Sequence, residues 1–152
     1  MTIDYEALMN GSWDDIPQPK MLPDGTWKLK LKGAAFKPSS QEGKSSTVLF
    51  IYAPKEAMDD VDAAALAALG DDYDLDLNKV FVRFWVESAD DWNQVRRHLG
   101  KHGVKTEGKS IVASFKEAKG SEIFAFITTR DYVNGQGIEV TENAAAQFAP
   151  VE

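Results

Sequence analysis

The chain has 152 residues, a length that suits a single domain with one hydrophobic core. Its 43% hydrophobic and 27% charged content is that of a globular protein and excludes the composition typical of disordered chains. The absence of cysteine excludes disulfides, thiolate metal sites and a cysteine nucleophile, and the formal charge of −7 weighs against a nucleic acid attracted by overall charge alone.

The first residues are polar and acidic. Met1–Glu6 lacks the apolar core of a secretory signal, and no apolar run reaches the roughly 18 to 20 residues that span a bilayer. We therefore expect no membrane partner and a cytoplasmic location. Residues 1–21 mix acids, prolines and isolated apolar residues, which predicts an irregular arm packed on the domain.

Two strands are predicted after the turn at residues 23–25. Over residues 26–36 apolar and basic residues alternate, the period of a half-buried strand, so one face is core and the other is positive. The second strand, residues 47–53, is apolar on both faces, and we expect it to pair with the first as an antiparallel hairpin. The positive face carries Lys28, Lys30 and Lys32.

The middle of the chain alternates between helical and strand patterns. The alanine-rich residues 55–69 predict a helical insertion, and residues 79–87 predict a third strand. Ser88 begins a helix that we expect Gly100 to end, with His98 and His102 on the surface. Two short strands are predicted at 109–116 and 122–129, followed by a flexible tail.

Five strands with a helix between the third and the fourth follow the element order of the OB fold, a five-stranded Greek-key barrel. The sequence therefore predicts a mainly β protein. Its domain is expected at residues 22–133, between the arm at 1–21 and the tail at 134–152.

Several segments also resemble a known family. They are Leu22-Pro23-Asp24-Gly25-Thr26-Trp27, then Gly43-Lys44 leading into Val48-Leu49-Phe50-Ile51, and a helix from Trp92 that ends in His98-Leu99-Gly100. Together they are similar to small bacteriophage single-stranded DNA-binding proteins with an OB-like fold. The resemblance covers roughly residues 20–130 as a cadence of elements. It implies sequence-independent binding in phage DNA replication or recombination, within the cytoplasm of an infected host cell.

The residues suggest how such binding would work. Single strands are held by cations along the phosphates and by exposed aromatic rings under the bases. One strand face offers lysines and another offers Phe81, Arg83 and Trp85, so the hypothesis requires both sets to share one surface. The complete set of predicted DNA-binding residues is Lys28, Lys30, Lys32, Lys37, Lys44, Phe50, Tyr52, Phe81, Arg83 and Trp85.

Other functions remain open. The acidic segment 56–76 and the overall charge favour a protein-interaction or structural module, and the tail offers a contact for replication or recombination proteins. Asp24 with Glu42-Gly43-Lys44 matches in letters the carboxylates and lysine of metal-dependent nucleases. We expect no catalysis, cofactor or metal, and exposed strand edges leave self-association open.

Overall fold

The computed structural model describes residues 4–13, 20–39 and 45–151. Within these ranges the strands are β1 (Gly25–Lys37), β2 (Ser46–Ala57), β3 (Val80–Val86), β4 (Glu122–Val133) and β5 (Glu139–Pro150). The helices are α1 (Tyr5–Asn10), α2 (Ala63–Ala67), α3 (Ala89–Lys101) and α4 (Ile111–Ala118), with a 3-10 turn at Leu75–Leu77. No helix in these parts of the chain is long and apolar enough to cross a membrane.

The five strands form one open antiparallel sheet in the order β3-β2-β1-β4-β5. The prediction of a mainly β protein is therefore confirmed. Because every neighbouring pair is antiparallel, the two edge strands, β3 and β5, run in the same direction. Their Cα atoms come within 8 Å of each other, so the sheet curls until its edges meet in part.

The inner face of the curled sheet holds the core. Trp27, Leu29 and Leu31 are fully buried, which confirms the alternation predicted for the first strand. The indole N–H of Trp27 donates to the carbonyl of Pro23 at 3.0 Å, so the one polar atom of this side chain is satisfied. Helices α3 and α4 cover part of this face through Val95, Leu99 and other side chains.

The predicted fourth strand at 109–116 is wrong, because these residues form α4. The hydroxyl of Ser110 accepts a hydrogen bond from the Ala113 N–H at 3.1 Å, which caps the first turn. Phe115 and Ala118 are then buried on one side of the helix, three residues apart. The β-branched Ile111 and Val112 suggested a strand, but both are exposed.

The predicted flexible tail is also wrong for residues 139–150, which form β5. Alanine and asparagine are poor strand formers, so nothing local marks Ala144–Ala146 as a strand. Backbone pairing with β4 supplies the order instead. The register shifts near Gln147, whose φ is 53°, and Phe148 beyond it packs on the core.

The predicted helical insertion is shorter than expected. Strand β2 continues to Ala57, and only five residues, Ala63–Ala67, form an α-helix. Asp62 caps this helix by accepting from the Ala65 N–H at 3.1 Å. In the described part of the predicted arm, Tyr5, Met9 and Trp13 are exposed, whereas Lys20 Nζ donates to the carbonyl of Leu69 at 3.0 Å; the packing of the whole arm, residues 1–21, stays a prediction.

Gly25 stands where any other residue would be strained. Its φ is +141°, and a Cβ there would lie 2.6 Å from Cγ2 of Val61. We expect Gly25→Ala to lower the free energy of unfolding by about 2 kcal/mol, measured by urea denaturation. Gly33→Ala is the control in the same strand, since its added Cβ meets nothing within 4 Å, and equal losses would contradict the prediction.

Candidate functional site

A groove of about 660 Å3 lies on the outer face of the sheet, where β3 approaches the β4–β5 hairpin. We call it the β3–β4 groove. Its chemistry comes from five side chains, two of them arginines and three aromatic: Phe81, Arg83, Trp85, Arg130 and Tyr132. Its remaining walls are apolar or small, and no Asp or Glu is among them.

The aromatic rings of this groove are open to solvent. Trp85 exposes 62% of its surface and Tyr132 39%, although large aromatic side chains are usually mostly buried. The Arg83 guanidinium lies 6.0 Å from the Phe81 ring centre, and that of Arg130 lies 5.4 Å from the Tyr132 ring centre. Each cation is therefore placed beside a ring face.

Strand geometry aims these side chains to one side. Phe81, Arg83 and Trp85 occupy alternate positions of β3, opposite the inward-pointing Val80 and Val82. The β4–β5 hairpin supplies the second wall. Its turn is fixed by Asn134, whose Oδ1 accepts from the N–H groups of Gln136 and Ile138 at 2.9 and 3.1 Å.

The two arginines differ in their surroundings. Arg130 Nε donates to Glu142 Oε1 at 2.8 Å, so its charge is partly neutralised by a cross-strand partner. Arg83 has no carboxylate within salt-bridge distance among the described residues. Of the two arginines, Arg83 is therefore the one without a carboxylate partner in the described parts of the chain.

Three of the groove residues, Phe81, Arg83 and Trp85, were predicted from the sequence. The structure places a fourth predicted residue, Lys37, on the same outer face of the sheet. In the ladder Lys37 pairs with Thr47, and Thr47 pairs with Trp85. Two strand spacings of about 4.8 Å each separate Lys37 from Trp85. Lys37 of β1 therefore places a positive charge on the outer face, two strands away from Trp85.

The other lysines of β1 lie on a different stretch of the outer face. Lys28 Nζ is 3.6 Å from Glu56, and Lys32 Nζ is 3.9 Å from Asp76. Lys30 pairs with Ala53, which lies beyond the end of the β2–β3 ladder. Register shifts on either side of Lys30 separate these positions from the row of Trp85. The two sets that the hypothesis joined are thus on one face but not in one groove.

The structure corrects the prediction that Phe50 and Tyr52 contact DNA. Both side chains are 0% exposed, because they point to the inner face of β2 and pack in the core. No base can stack on either ring in this fold. Lys44, also predicted as a DNA contact, lies outside the described residues, together with Glu42 and Gly43.

Tyr52 instead organises a buried polar network. Its hydroxyl lies 2.6 Å from His98 Nε2 and 2.7 Å from His102 Nε2. The other ring nitrogen of His102, Nδ1, is 2.8 Å from the hydroxyl of Ser121. The prediction of surface histidines is therefore wrong. Helix α3 continues through Gly100, and Gly103, with φ +82°, follows the end of the helix.

The donors in this network have one consistent order. Ser121 donates its hydroxyl proton to the carbonyl of Ala118, so Ser121 accepts from the Nδ1–H of His102. In neutral His102, Nε2 is then unprotonated and accepts from Tyr52, which in turn accepts from the Nε2–H of His98. This order requires both histidines to be neutral.

Burial also favours the neutral forms. It lowers the pKa of His98 to about 3, with the nearby His102 and Lys101 adding to the effect, and that of His102 to about 4. Burial raises the pKa of the Tyr52 phenol above its ordinary value. The network thus links β2, α3 and the start of β4 without a charge at neutral pH.

Sequence reasoning missed Arg130 and Tyr132. The alternation of residues 122–129 had suggested a strand that ended before them. The signal available was the turn sequence Asn134-Gly135-Gln136-Gly137, which is typical of a hairpin loop and implies strands on both sides. Reading that turn as a hairpin would have extended β4 to Val133.

Several acids have structural partners. Asp24 Oδ1 accepts from the Thr129 N–H at 3.1 Å, which ties the first turn to β4. Asp60 accepts from the N–H and the hydroxyl of Thr26 at 2.8 and 2.7 Å. These hydrogen bonds lower the pKa of Asp60. In the parts of the chain that the structure describes, no three His, Asp or Glu side chains are grouped so that they could hold a metal ion.

No protein-family model matches the chain, and no curated protein matches its sequence.

Proposed function

We propose that the protein is a non-catalytic, largely sequence-independent single-stranded DNA-binding protein that holds the strand in the β3–β4 groove. The observation that carries the proposal is the grouping of Arg83 and Arg130 with three solvent-facing aromatic rings in one groove. Bases stack on such rings and cations follow the phosphates, whatever the base sequence.

We further propose that the fold is an OB-like barrel. Joining the two edges of the sheet gives the cyclic order β3-β2-β1-β4-β5, with β3 and β5 running in the same direction. Two helices, α3 and α4, stand between β3 and β4 in the chain. In OB folds a helix occupies this position, and nucleic acid binds on the side of strands 2 and 3 beside the loop between strands 4 and 5. The β3–β4 groove, lined by β3 and by the loop between β4 and β5, supports this proposal.

The distribution of charge supports the proposal despite the net charge of −7. Two arginines and no carboxylate are among the described residues that line the groove, although Glu142 pairs with Arg130, and apart from Glu56 the acids of 56–76 lie between β2 and β3. Local charge along the strand's path, rather than total charge, governs contacts over a Debye length of about 8 Å. A phage replication or recombination role would follow from the family resemblance.

The direct test is fluorescence anisotropy with a labelled oligo-dT of about 30 nucleotides. We expect saturable binding that weakens as salt rises, because phosphate contacts release counterions. A duplex of the same length should bind less tightly, since its bases cannot reach the rings. No binding at low salt up to tens of micromolar protein would end the proposal.

Trp85→Ala and Tyr132→Ala should each weaken binding by about 1–3 kcal/mol, roughly 5- to 150-fold, without unfolding the protein. Leu66→Ala and Leu77→Ala are the controls, because these exposed apolar residues lie outside the groove. Equal losses in the groove variants and in these controls would contradict the assignment of the site.

Arg83→Ala should change the salt dependence of binding. Loss of one phosphate contact is expected to reduce the slope of log affinity against log salt by about 0.7 for a single strand. Arg97→Ala, which removes an exposed arginine of α3 outside the groove, should leave the slope unchanged. A slope that responds to Arg97 and not to Arg83 would place the strand elsewhere.

A further inference from the structure

A second groove lies between the end of β1 and α4. We call it the β1–α4 groove, and it also encloses about 660 Å3. Gly33–Phe36 form one side, and Ile111, Val112 and Phe115 of α4 form the other. Val112 exposes 62% of its surface, and Ile111 and Phe36 are also exposed. An open apolar groove of this kind is typical of an interaction site.

The backbone beside this groove is also open. Strand β4 pairs with β1 only over residues 25–30, followed by one exchange between Leu31 and the turn at 120–121. Residues 33–37 of β1 pair with β2 alone. Alternate backbone groups along this stretch therefore face away from the sheet, and such an edge is usually covered or charged in stable proteins.

The charge around the groove identifies what fits it. Three lysines stand at its rim, Lys32, Lys116 and Lys119, and no acid lines it. Lys32 is also 3.9 Å from Asp76, but nothing comparable pairs with Lys116 or Lys119 among the described residues. In a chain of net charge −7, this is a local basic rim around an apolar floor. It fits a segment that is both acidic and rich in large apolar side chains.

The N-terminal arm has that composition. Residues 1–19 contain four acids and no lysine or arginine. Its described part presents Tyr5, Met9 and Trp13 to solvent, with Trp13 85% exposed. Tyr5 and Met9 are four residues apart on α1, so they lie on one side of the helix. The arm is an apolar, acidic face without a cover, and the groove is an apolar, basic one.

We infer that the N-terminal arm of one copy docks in the β1–α4 groove of a second copy. Tyr5, Met9 and Trp13 enter the apolar floor, while Asp4 and Glu6 of the arm meet the lysines at the rim. Reciprocal exchange of two arms closes the assembly as a twofold dimer. The inference is independent of DNA binding, because it uses the other groove and a test without nucleic acid.

The test is sedimentation equilibrium of the full chain over a range of concentrations. We expect the wild type to form dimers, and Trp13→Ala or Val112→Asp to raise the dimer dissociation constant at least about tenfold, which corresponds to 1.4 kcal/mol. Mixing the two variants should give a heterodimer that keeps one of the two intact arm–groove contacts, because one variant retains its groove and the other its arm. Where each substitution abolishes its own contact, the mixture should therefore associate more tightly than either variant alone and less tightly than the wild type.

Leu77→Asp is the matched control for Val112→Asp, since Leu77 is an exposed apolar residue that lines neither groove. Lys116→Glu combined with Lys119→Glu reverses charge at the rim without altering the apolar floor, and should also weaken the dimer. A wild type that stays monomeric at all concentrations would overturn the inference, and so would a mixture that associates no more tightly than either variant alone. Docking of the arm on its own chain would give the first result.

Discussion

Tyr52→Phe is expected to lower the free energy of unfolding by about 2–4 kcal/mol, although it removes a single oxygen atom. The Tyr52 hydroxyl is fully buried and joins Nε2 of His98 to Nε2 of His102 at 2.6 and 2.7 Å. Without it, two buried ring nitrogens lose their partner at once. An unsatisfied buried polar group costs far more than the net gain from an ordinary hydrogen bond.

Urea denaturation followed by far-ultraviolet circular dichroism measures this loss. Tyr73→Phe is the matched control, because the hydroxyl of Tyr73 donates one hydrogen bond to the carbonyl of Lys20 at 3.1 Å and is only half-buried. Its loss should be about 1 kcal/mol or less. Similar losses in the two variants would show that the buried network does not stabilise the fold.

The second large effect is acid destabilisation between about pH 6.5 and pH 5. His98 and His102 have pKa values lowered by burial to about 3 and about 4, against an ordinary value of 6.5. The unfolded chain therefore binds more protons than the folded one in this window, by about one at pH 6.5 and by nearly two at pH 5. Lowering the pH stabilises the state that binds more protons, which here is the unfolded state. The free energy of unfolding therefore decreases on acidification, by up to about 1.4 kcal/mol per pH unit for each histidine.

Between pH 6.5 and pH 5 the effect of the histidines can be measured apart from that of the carboxylates, which titrate at lower pH. Asp60 and Asp76 have pKa values lowered below 3.8, Asp60 by its hydrogen bonds to Thr26 and Asp76 by Lys55, so their stabilising contributions are present above that value and are lost only below it. Unfolding free energies at pH 7, 6 and 5 should fall with a slope that His102→Gln halves, whatever that variant does to stability at pH 7. An unchanged slope would mean that His102 does not titrate with unfolding.

Helix α3 connects the expected effect of Tyr52→Phe with the expected destabilisation in acid. Its histidines bond to β2 through Tyr52, and α3 follows β3, which carries one wall of the β3–β4 groove. If acid loosens α3 before the sheet unfolds, DNA binding should weaken in the same pH range as stability. Anisotropy titrations at pH 7 and pH 5.5 measure this directly.

Much of the sheet follows from local pattern. The alternation in residues 26–36 predicted β1 and its buried Trp27, Leu29 and Leu31. An alternation of apolar and polar residues with a period of two is the pattern of a strand with one buried face. The same rule placed Phe81, Arg83 and Trp85 on one face of β3. The identity of the other wall of the groove did not follow, because Arg130 and Tyr132 are remote in sequence and reach β3 only through the curling of the sheet.

By itself, the sequence determined a mainly β domain and a strand face on which two aromatic rings flank an arginine. Tertiary structure decided the rest. It made β5 from an alanine-rich segment because ladder hydrogen bonds with β4 outweigh weak strand propensity. It buried Phe50, Tyr52 and two histidines, because a strand apolar on both faces does not reveal which face packs inward. It also separated the lysines of β1 from Trp85, since register shifts arise from pairing between strands and leave no mark in either strand alone.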